Sequence, residues 1–244
     1  MPYHIRAGEG DVAPVVIGVG DPARAKLFAS LLDGARQVNE HRYPVYTGYF
    51  RGRPITVAAH GIGGPSAAIA IEELRMLGME VFIRIGTAGS FGDLEVGDVV
   101  VAAAAAAPPG GVLGAYFGGH LPPLAADPQL TLALAKAIGA RMGYVVSSDA
   151  FYAEDPHFAE FWKSRRALAV EMECATAMAL GWLRGFKTGC VLVISNIVGR
   201  HDVVDLTERF KDVFFKTLTA LDVVETSAGR LTSRLSSDGL PSFL

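Results

Sequence analysis

The 244-residue sequence lacks the features of several large protein classes. Its 22 Lys and Arg are outnumbered by 25 Asp and Glu and form no basic run, so no nucleic-acid partner is expected. No apolar stretch approaches the roughly 18 uninterrupted residues of a membrane-spanning helix, and the first residues lack the apolar segment of a signal peptide. We therefore expect a soluble, cytoplasmic protein with no membrane partner.

Cysteine and the familiar catalytic motifs are also scarce. The two cysteines, Cys174 and Cys190, lie in apolar surroundings, which is typical of packed thiols rather than of a disulfide. The six His show no metal-ligand spacing and no Cys-x-x-Cys is present, so no metal site is expected. The sequence also lacks the Gly-x-Ser-x-Gly turn of serine hydrolases and the Gly-Lys-Ser/Thr of a P-loop.

What the sequence does contain is a regular alternation of apolar strands and helices. Half of its residues are hydrophobic and 19% are charged, so a substantial core can form. Near-continuous apolar runs over 13–20, 81–86 and 188–195 are typical of buried parallel strands. We expect a single α/β domain over residues 1–228, with a mixed, mostly parallel central sheet flanked by helices. Residues 229–244 are expected to form a loose C-terminal tail.

Local signals place several helices and loops within this domain. Asp21-Pro22 combines an N-cap with a first-turn proline and predicts the start of a helix. An amphipathic pattern over 206–226 predicts a long helix. The Gly- and Pro-rich residues 108–123 are expected to form a long loop, and residues 87–90 are expected to end the strand that begins at Val81.

The stretch that most strongly indicates a site is 167–175, in which an apolar run leads into Glu171, Met172 and Glu173. Side chains alternate along a strand, so both carboxylates would lie on the same face. Polar groups at the carboxyl end of a parallel strand usually face a ligand crevice, and two carboxylates there suit the vicinal hydroxyls of a ribose. The alternative, on equal footing, is that the pair caps the following helix.

Two other strand ends carry groups that bind anions. Gly18-Val-Gly20 precedes a helix bearing Arg24, and glycine amides at a helix N-terminus can bind an anion, although Gly-x-Gly is more often an ordinary tight turn. Arg84 lies inside a buried apolar strand and needs an anionic partner, either a ligand shared with Thr87 or a core carboxylate. Arg24 and Arg84 converging on one site would form a phosphate-sized pocket without a metal.

Two residues after strands could contact a planar base. The amide of Asn196, after the last core strand, could hydrogen-bond a heterocycle, although Asn at such a position is often a turn former. Phe151 follows another strand and could stack on a base, although core packing is the commoner role of a lone Phe. Together with the preceding motifs, these residues predict phosphate, ribose and base subsites around one crevice.

Five motifs in this order resemble the hexameric purine nucleoside phosphorylases of bacteria and archaea, especially the archaeal members that also accept 5′-methylthioadenosine. They are GDPARA (20–25), RIGTAGS (84–90), SSDAFYAED (147–155), AVEMECA (169–175) and VLVISN (191–196). The resemblance covers the chain from His4 to about Leu221. It implies a pentosyltransferase of purine salvage and nucleoside catabolism that uses inorganic phosphate as co-substrate, without a metal or organic cofactor. It also implies a homo-oligomer, at least a dimer and by resemblance a hexamer built as a trimer of dimers.

The resemblance further implies a role for each matching residue. Phosphate would be bound by Gly20, Arg24, Arg84 and Thr87, and by Arg42 lent from a neighbouring subunit. Ribose would be held by Glu171, Met172 and Glu173, and by His4 lent in the same way. The base would be bordered by Ala88, Gly89, Phe151 and Asn196.

One departure from the family pattern concerns catalysis. Asn196 stands where these enzymes usually carry the Asp regarded as the acid that protonates purine N7, and an amide cannot supply that proton. General acid catalysis is worth about 10²–10⁴-fold. Arg209 matches the arginine that pairs with this Asp, and is therefore expected to lack its carboxylate partner.

Three consequences of Asn196 are open. Its amide could hydrogen-bond N7 and O6 of a 6-oxopurine, as in the separate trimeric purine phosphorylases, and we favour this interpretation. The base could instead be a pyrimidine, as in uridine phosphorylases, although the Gln and Arg that those enzymes use have no counterpart after Tyr152. The third alternative is a nucleoside-binding protein with weak catalysis. The expected reaction is thus reversible phosphorolysis of a ribonucleoside to free base and ribose 1-phosphate, with Asn196, Arg209, Arg24 and Arg84 as its catalytic residues.

Overall fold

The computed structural model describes residues 2–120, 122–200 and 204–235, which fold into one mixed sheet with helices on both sides. The strands are β1 Val15–Val19, β2 Asp33–Asn39, β3 Val45–Phe50, β4 Arg53–Ala59, β5 Val81–Ser90, β6 Val99–Ala106, β7 Arg141–Ser147, β8 Ala169–Glu171 and β9 Lys187–Ile197. The α-helices are α1 Pro22–Ala29, α2 Gly64–Met76, α3 Gly111–Phe117, α4 Pro128–Ile138, α5 Pro156–Ser164, α6 Cys174–Arg184 and α7 Thr207–Leu235. A short 3₁₀ helix spans Phe151–Ala153.

Three of the helices begin with the same Asp-Pro device. The side chain of Asp21 accepts a hydrogen bond from the backbone N–H of Ala23 at 2.8 Å, as the sequence predicts for the start of α1. Asp127 caps α4 and Asp155 caps α5 in the same way, each followed by a proline in the first turn. The N–H groups of a first helical turn have no partner within the helix, and proline has no N–H. The Asp-Pro pair therefore defines where each of these helices begins.

The strand order is β2-β3-β4-β1-β5-β8-β7-β6-β9, and β9 also pairs with β5. This additional pairing closes β5, β8, β7, β6 and β9 into a ring of five strands, from which β1, β4, β3 and β2 extend. Five of the nine pairings are parallel, which confirms the expected α/β fold with a mixed sheet. The carboxyl ends of β1, β5 and β9 therefore meet at one edge.

Apolar side chains fill both faces of the sheet. On one face α1, α4 and α7 pack on the strands, and the rings of Phe28 and Phe214 stack with centroids 4.4 Å apart. On the other face α2 and α6 cover β1 and β5 through residues such as Ile71, Leu180 and Phe82. Within the described residues, no helix is long and apolar enough to cross a membrane.

Several local predictions were wrong. Strand β5 continues through residues 87–90 because their backbone groups pair with β9 and, at Gly89 and Ser90, with β8. The loop predicted over 108–123 contains α3, and β2 was missed because its exposed polar residues carry no alternating apolar signal. Helix α7 continues past its predicted end at residue 226, and residues 236–244 of the predicted tail lie outside the described part of the chain.

Candidate active site

A cavity of about 400 Å³ opens at the carboxyl ends of β1, β5, β8 and β9. It is lined by most of the predicted site residues, namely Gly20, Arg24, Arg84, Thr87, Ala88, Gly89, Phe151, Glu171, Met172, Glu173 and Asn196. A larger cavity of about 590 Å³ lies at the amino ends of β1, β5 and β9, next to Val15, Val81 and Lys187. Ligands of parallel α/β sheets bind at carboxyl ends, so the smaller cavity is the candidate active site.

A buried ion cluster lies in this cavity, among residues predicted for the phosphate and ribose subsites. Arg84 is 4% exposed, and one of its Nη atoms donates to a carboxylate oxygen of Glu173 and lies 3.4 Å from Glu171 Oε2. Burial opposes the charge of Arg84, but the two carboxylates outweigh it and raise its pKa. The alternative of a core carboxylate partner for Arg84 is therefore observed. Its Nε and Nη1 have no hydrogen-bond partner among the described residues, so it keeps donors for a ligand.

The alternation pattern predicts equivalent positions for the two carboxylates on one strand face. The structure instead gives them different positions. Strand β8 ends at Glu171, whose carboxylate accepts the N–H groups of Glu173 at 2.8 Å and Cys174 at 2.9 Å. Glu171 thus caps α6, in line with the alternative interpretation. Glu173 instead lies directly before α6, as its N-cap residue, and its carboxylate accepts from Gly63 N–H at 2.6 Å as well as from Arg84. Both carboxylates lie next to Arg84, but the side chain of Glu173, unlike that of Glu171, makes no hydrogen bond to the first N–H groups of α6.

Arg24 brings a second cation to the cavity from the first turn of α1. Its guanidinium lies over the ring of Phe210, 3.8 Å from the centroid. Burial lowers the pKa of Arg24, Asp21 opposes this shift, and the positive charge of Arg84 adds to it. Both arginines line the same cavity. An anion bound between two guanidinium groups would offset the repulsion of their like charges.

Two glycines make room for this cluster. A Cβ on Gly86 would lie 1.8 Å from Arg84 Nη1, so only glycine leaves space for the guanidinium. A Cβ on Gly20 would lie 3.2 Å from the carbonyl oxygen of Gly61, which follows β4. Gly18 lies inside β1 rather than in a turn, and only Gly20, directly after the strand, packs tightly against the neighbouring loop.

The opposite end of the cavity is apolar and open. Phe151 is 52% exposed and borders the cavity, so it is not part of the core. Asn196 lies within β9 rather than in a turn, and its Oδ1 accepts from Ser195 Oγ at 3.0 Å. A Cβ on Gly89 would lie 3.4 Å from Val170 Cγ1 and 3.5 Å from Asn196 Nδ2. The Gly89 position is therefore closely packed by side chains, one of which is the Asn196 amide.

Three predicted residues do not line the cavity of this chain. His4 Nδ1 lies 2.9 Å from Glu73 Oε1, and Arg42 is exposed in the segment between β2 and β3. Arg209 donates to the Gly97 carbonyl at 2.9 Å and to Asp212 Oδ2 at 2.9 Å. The expectation that Arg209 lacks a carboxylate partner was wrong, since a residue one turn further along α7 supplies it.

Two residues of the site were missed in the sequence. His60 directly follows β4 and is 1% exposed. Its Nδ1 lies 2.9 Å from the Gly61 carbonyl oxygen, and its Nε2 has no hydrogen-bond partner among the described residues. Burial, followed by the charge of Arg84, lowers its pKa to about 4, so it is neutral. Glu154 lines the cavity just after the 3₁₀ helix. The sequence did contain a signal for each: His60 stands at the end of an apolar run, and Glu154 is an acidic residue within the SSDAFYAED motif.

The part of the chain that is described contains no group of three or more His, Cys, Asp or Glu placed to hold a metal ion. The polar groups of the cavity are instead guanidinium, carboxylate and amide groups. This set can bind an anion, hydroxyl groups and a heterocycle, in that order from Arg24 to Asn196.

Comparisons with known proteins give a consistent result. The family model described as "Phosphorylase superfamily" matches residues 14–224. A guanosine phosphorylase of Halorubrum lacusprofundi is 37% identical over 225 residues, covering 86% of this chain and 91% of that protein. A uridine phosphorylase of Thermococcus kodakarensis is 38% identical over 214 residues, covering 80% and 76%. A DeoD-type purine nucleoside phosphorylase of Caldanaerobacter subterraneus is 34% identical over 231 residues, covering 91% and 100%.

Proposed function

The chain belongs to the phosphorylase superfamily, and we propose that it is a pentosyltransferase that catalyses the reversible phosphorolysis of a ribonucleoside. The products are the free base and ribose 1-phosphate. The observation that carries this proposal is that two arginines, Arg24 and Arg84, line one cavity together with the carboxylate of Glu173. A hydrolase that uses water would have no need of two cations at this position.

The anion end supports a role in binding and orienting phosphate. Arg24, Arg84 and Thr87 would hold the phosphate beneath C1′ of the sugar, with Gly20 allowing its close approach. An oxygen of the phosphate forms the new bond to C1′ as the glycosidic bond breaks and its electron pair leaves with the base. The negative phosphate also stabilises the positive charge that develops on the ribose.

The carboxylate between the two ends supports a role in binding ribose. Glu173 would accept hydrogen bonds from the sugar hydroxyl groups, with Met172 packing against the ring. Glu171 would act indirectly, because its oxygens are already used by the first amides of α6. Its role is to fix the start of that helix and therefore the position of Glu173.

The base end supports a 6-oxopurine as substrate. The Asn196 amide N–H can donate to O6 or N7 of such a base, both of which are acceptors while the glycosidic bond is intact, and Phe151 with Gly89 could border its faces. This donation would stabilise the negative charge that builds up on the leaving base, which takes up a proton from water after the glycosidic bond breaks. The similarity to a guanosine phosphorylase agrees with this choice.

Uridine is the second candidate, because a uridine phosphorylase is 38% identical to this chain. A pyrimidine leaves without protonation at N7, so the absence of an acid at position 196 would matter less for it. A nucleoside-binding protein with weak catalysis is a third candidate on the same ground.

Release of base from inosine, adenosine, 5′-methylthioadenosine and uridine, measured with and without phosphate, tests the proposal. We expect inosine to be cleaved fastest, only with phosphate, and with formation of one ribose 1-phosphate per base. Equal release in phosphate-free buffer would refute phosphorolysis. Faster cleavage of uridine would refute the purine assignment, and tight binding without turnover would indicate the binding protein.

We also propose that the enzyme is a homo-oligomer, with a hexamer built from dimers as the expected form. His4 and Arg42 are absent from the cavity of their own chain, and Arg42 is exposed. A neighbouring subunit would bring Arg42 to the phosphate and His4 to the 5′ side of the ribose. The smallest active unit is then a dimer.

A further inference from the structure

Arg42 has a backbone conformation that residues with a side chain rarely adopt. Its φ is 59°, in the left-handed region that favours glycine. The N–H of Tyr43 donates to the carbonyl of His41 at 2.6 Å and closes a three-residue turn with Arg42 at its centre. Three-residue turns whose central residue has a positive φ are rare and strained. Such strain persists only where the surrounding structure imposes it, and it is concentrated at functional sites.

Among the described residues, two other non-glycine residues have a positive φ, and both occupy turns that require it. Arg51 belongs to the two-residue loop between β3 and β4, a turn type in which both residues take a positive φ. Arg166 lies just beyond the end of α5, where the N–H of Ala167 donates to the Trp162 carbonyl at 3.1 Å in a motif typical of helix ends. Arg42 lies in neither kind of turn, so its conformation is imposed by its neighbours.

One buried side chain holds the turn at Arg42. Asn39 is the last residue of β2 and is 5% exposed. Its Nδ2 donates to the carbonyls of His41 at 2.8 Å and Tyr43 at 2.6 Å, the residues on either side of Arg42. Its Oδ1 accepts the N–H of Arg6 at 2.9 Å. Asn39 thus uses two donors and one acceptor, a combination that no other side chain of this length offers.

These hydrogen bonds join the two segments that carry the residues proposed to enter a neighbouring subunit's cavity. Arg6 follows His4 closely in the chain, and the ring of His4 packs against that of Tyr43 with centroids 6.0 Å apart. The side chain of Arg42 is exposed and, within the described part of the chain, its guanidinium pairs with no carboxylate. Arg42 is therefore held by its backbone while its charge is left for an anion.

We infer that Asn39 is a positioning residue that holds Arg42 in this turn and so fixes the direction in which the guanidinium reaches the phosphate of a neighbouring subunit. The inference rests on the proposed phosphorolysis and on the proposed contribution of Arg42, and it adds the residue that prepares Arg42 for that contact. Because the turn is formed in advance, phosphate binding does not have to order it, and the phosphate binds more tightly. Asn39 is buried and acts only through Arg42.

The test is the KM for phosphate in Asn39→Asp and Asn39→Ala. Aspartate can still accept the N–H of Arg6 but offers no donor to the two carbonyls, and alanine removes all three hydrogen bonds without adding a charge. Both variants should raise the KM for phosphate about tenfold, while kcat at saturating phosphate and the KM for the nucleoside stay near their wild-type values. A role in folding alone would lower the unfolding midpoint and leave the KM for phosphate unchanged.

The matched control is Gln37→Glu, the same amide-to-carboxylate change at an exposed position of β2. It adds the same charge close to the same turn but leaves the Asn39 amide in place. Its KM for phosphate should equal that of the wild type.

A subunit-mixing experiment shows in which cavity the effect of Asn39 appears. When Asn39→Asp is reassembled with Arg84→Ala, the Asn39→Asp chain keeps an intact cavity and receives Arg42 from a partner whose Asn39 is intact. About a quarter of all sites should then regain the wild-type KM for phosphate, since half of the dimers are mixed and one of their two sites is functional. An effect of Asn39 on its own chain's cavity would give no such recovery.

The outcomes separate this inference from the proposed function. An unchanged KM for phosphate in both Asn39 variants would overturn the inference and leave phosphorolysis intact. The same holds if Asn39→Asp mixed with Arg84→Ala shows no recovery although Arg42→Ala mixed with Arg84→Ala regains activity. No recovery in either mixture despite subunit exchange would overturn the contribution of Arg42 together with the inference. Release of base without phosphate would overturn the proposed function as a whole.

Discussion

Acidification should destabilise this protein through His60, which lies buried and neutral beside Arg84. Its pKa is about 4 in the folded chain, against an ordinary value of 6.5, because burial and the nearby cation oppose its charged form. Between these two pH values the unfolded chain binds a proton at His60 and the folded chain does not. The free energy of unfolding therefore falls as the pH falls through this window.

The size of the effect follows from the difference between the two values. The full difference between 6.5 and about 4 corresponds to about 3 kcal/mol. Between pH 7 and pH 5, where most carboxylates stay ionised, about 2 kcal/mol of that loss should appear. This is a large share of the 5–15 kcal/mol that typically separates folded from unfolded domains, so about 2 kcal/mol is readily measured.

Urea unfolding at pH 7 and pH 5 measures this loss when the wild type is compared with His60→Asn. The Asn amide can still donate to the Gly61 carbonyl, which His60 Nδ1 contacts at 2.9 Å, but it does not titrate. The variant should therefore lose about 2 kcal/mol less than the wild type between the two pH values. His157→Asn, at an exposed position of α5, is the control and should keep the wild-type pH dependence. Equal losses in wild type and His60→Asn would refute the placement of a neutral His60 next to Arg84.

Three further predictions concern catalysis. Gly86→Ala should raise the KM for phosphate at least about tenfold in steady-state kinetics, because the added Cβ would displace the Arg84 guanidinium. Gly114→Ala, whose added Cβ has nothing within 4 Å, is the control and should leave both the KM and the unfolding midpoint unchanged. Asn196→Asp should shift the kcat/KM preference from 6-oxopurine towards 6-aminopurine nucleosides, and a uniform gain on all purines would instead mean that the natural residue impairs catalysis. Inactive Arg42→Ala and Arg84→Ala proteins, when mixed and reassembled, should recover about a quarter of the wild-type activity. Half of the dimers then contain one chain of each variant, and one of the two sites in such a dimer is intact. No recovery despite subunit exchange would refute the contribution of Arg42 to the neighbouring subunit's site.

Much of the fold could be predicted because its signals are local. Asp21-Pro22 fixes the start of α1 through one side-chain hydrogen bond, and the apolar runs of β1 and β9 are buried on both faces. Residues at the carboxyl ends of such strands were expected to meet, and Arg24, Arg84 and Asn196 do line one cavity. These predictions needed only the hydrophobic periodicity, the helix-capping residues and the direction of the strands.

The features that were missed depend on side-chain contacts that hydrophobic periodicity does not report. Glu173 leaves the strand face because Glu171 caps α6 and turns the chain, which alternation alone cannot show. Arg209 pairs with Asp212, a choice set by how α7 lies against the Gly97 carbonyl. His60 lies near Gly20 because β4 pairs with β1, which brings the carboxyl ends of these two strands together. The first two contacts are local but are not distinguished by the sequence pattern, and the third depends on how the strands pair.

The closed ring of strands has a consequence for how this enzyme could change over evolutionary time. Arg84, Glu171 and Asn196 stand on strands that are each held on both sides, so substitutions there disturb two neighbours at once. Glu154 belongs to a short connection outside that ring, where side chains can be exchanged at little cost to the framework. The side chains that this connection contributes to the cavity can therefore change over evolutionary time while Arg84, Glu171 and Asn196 are inherited unaltered.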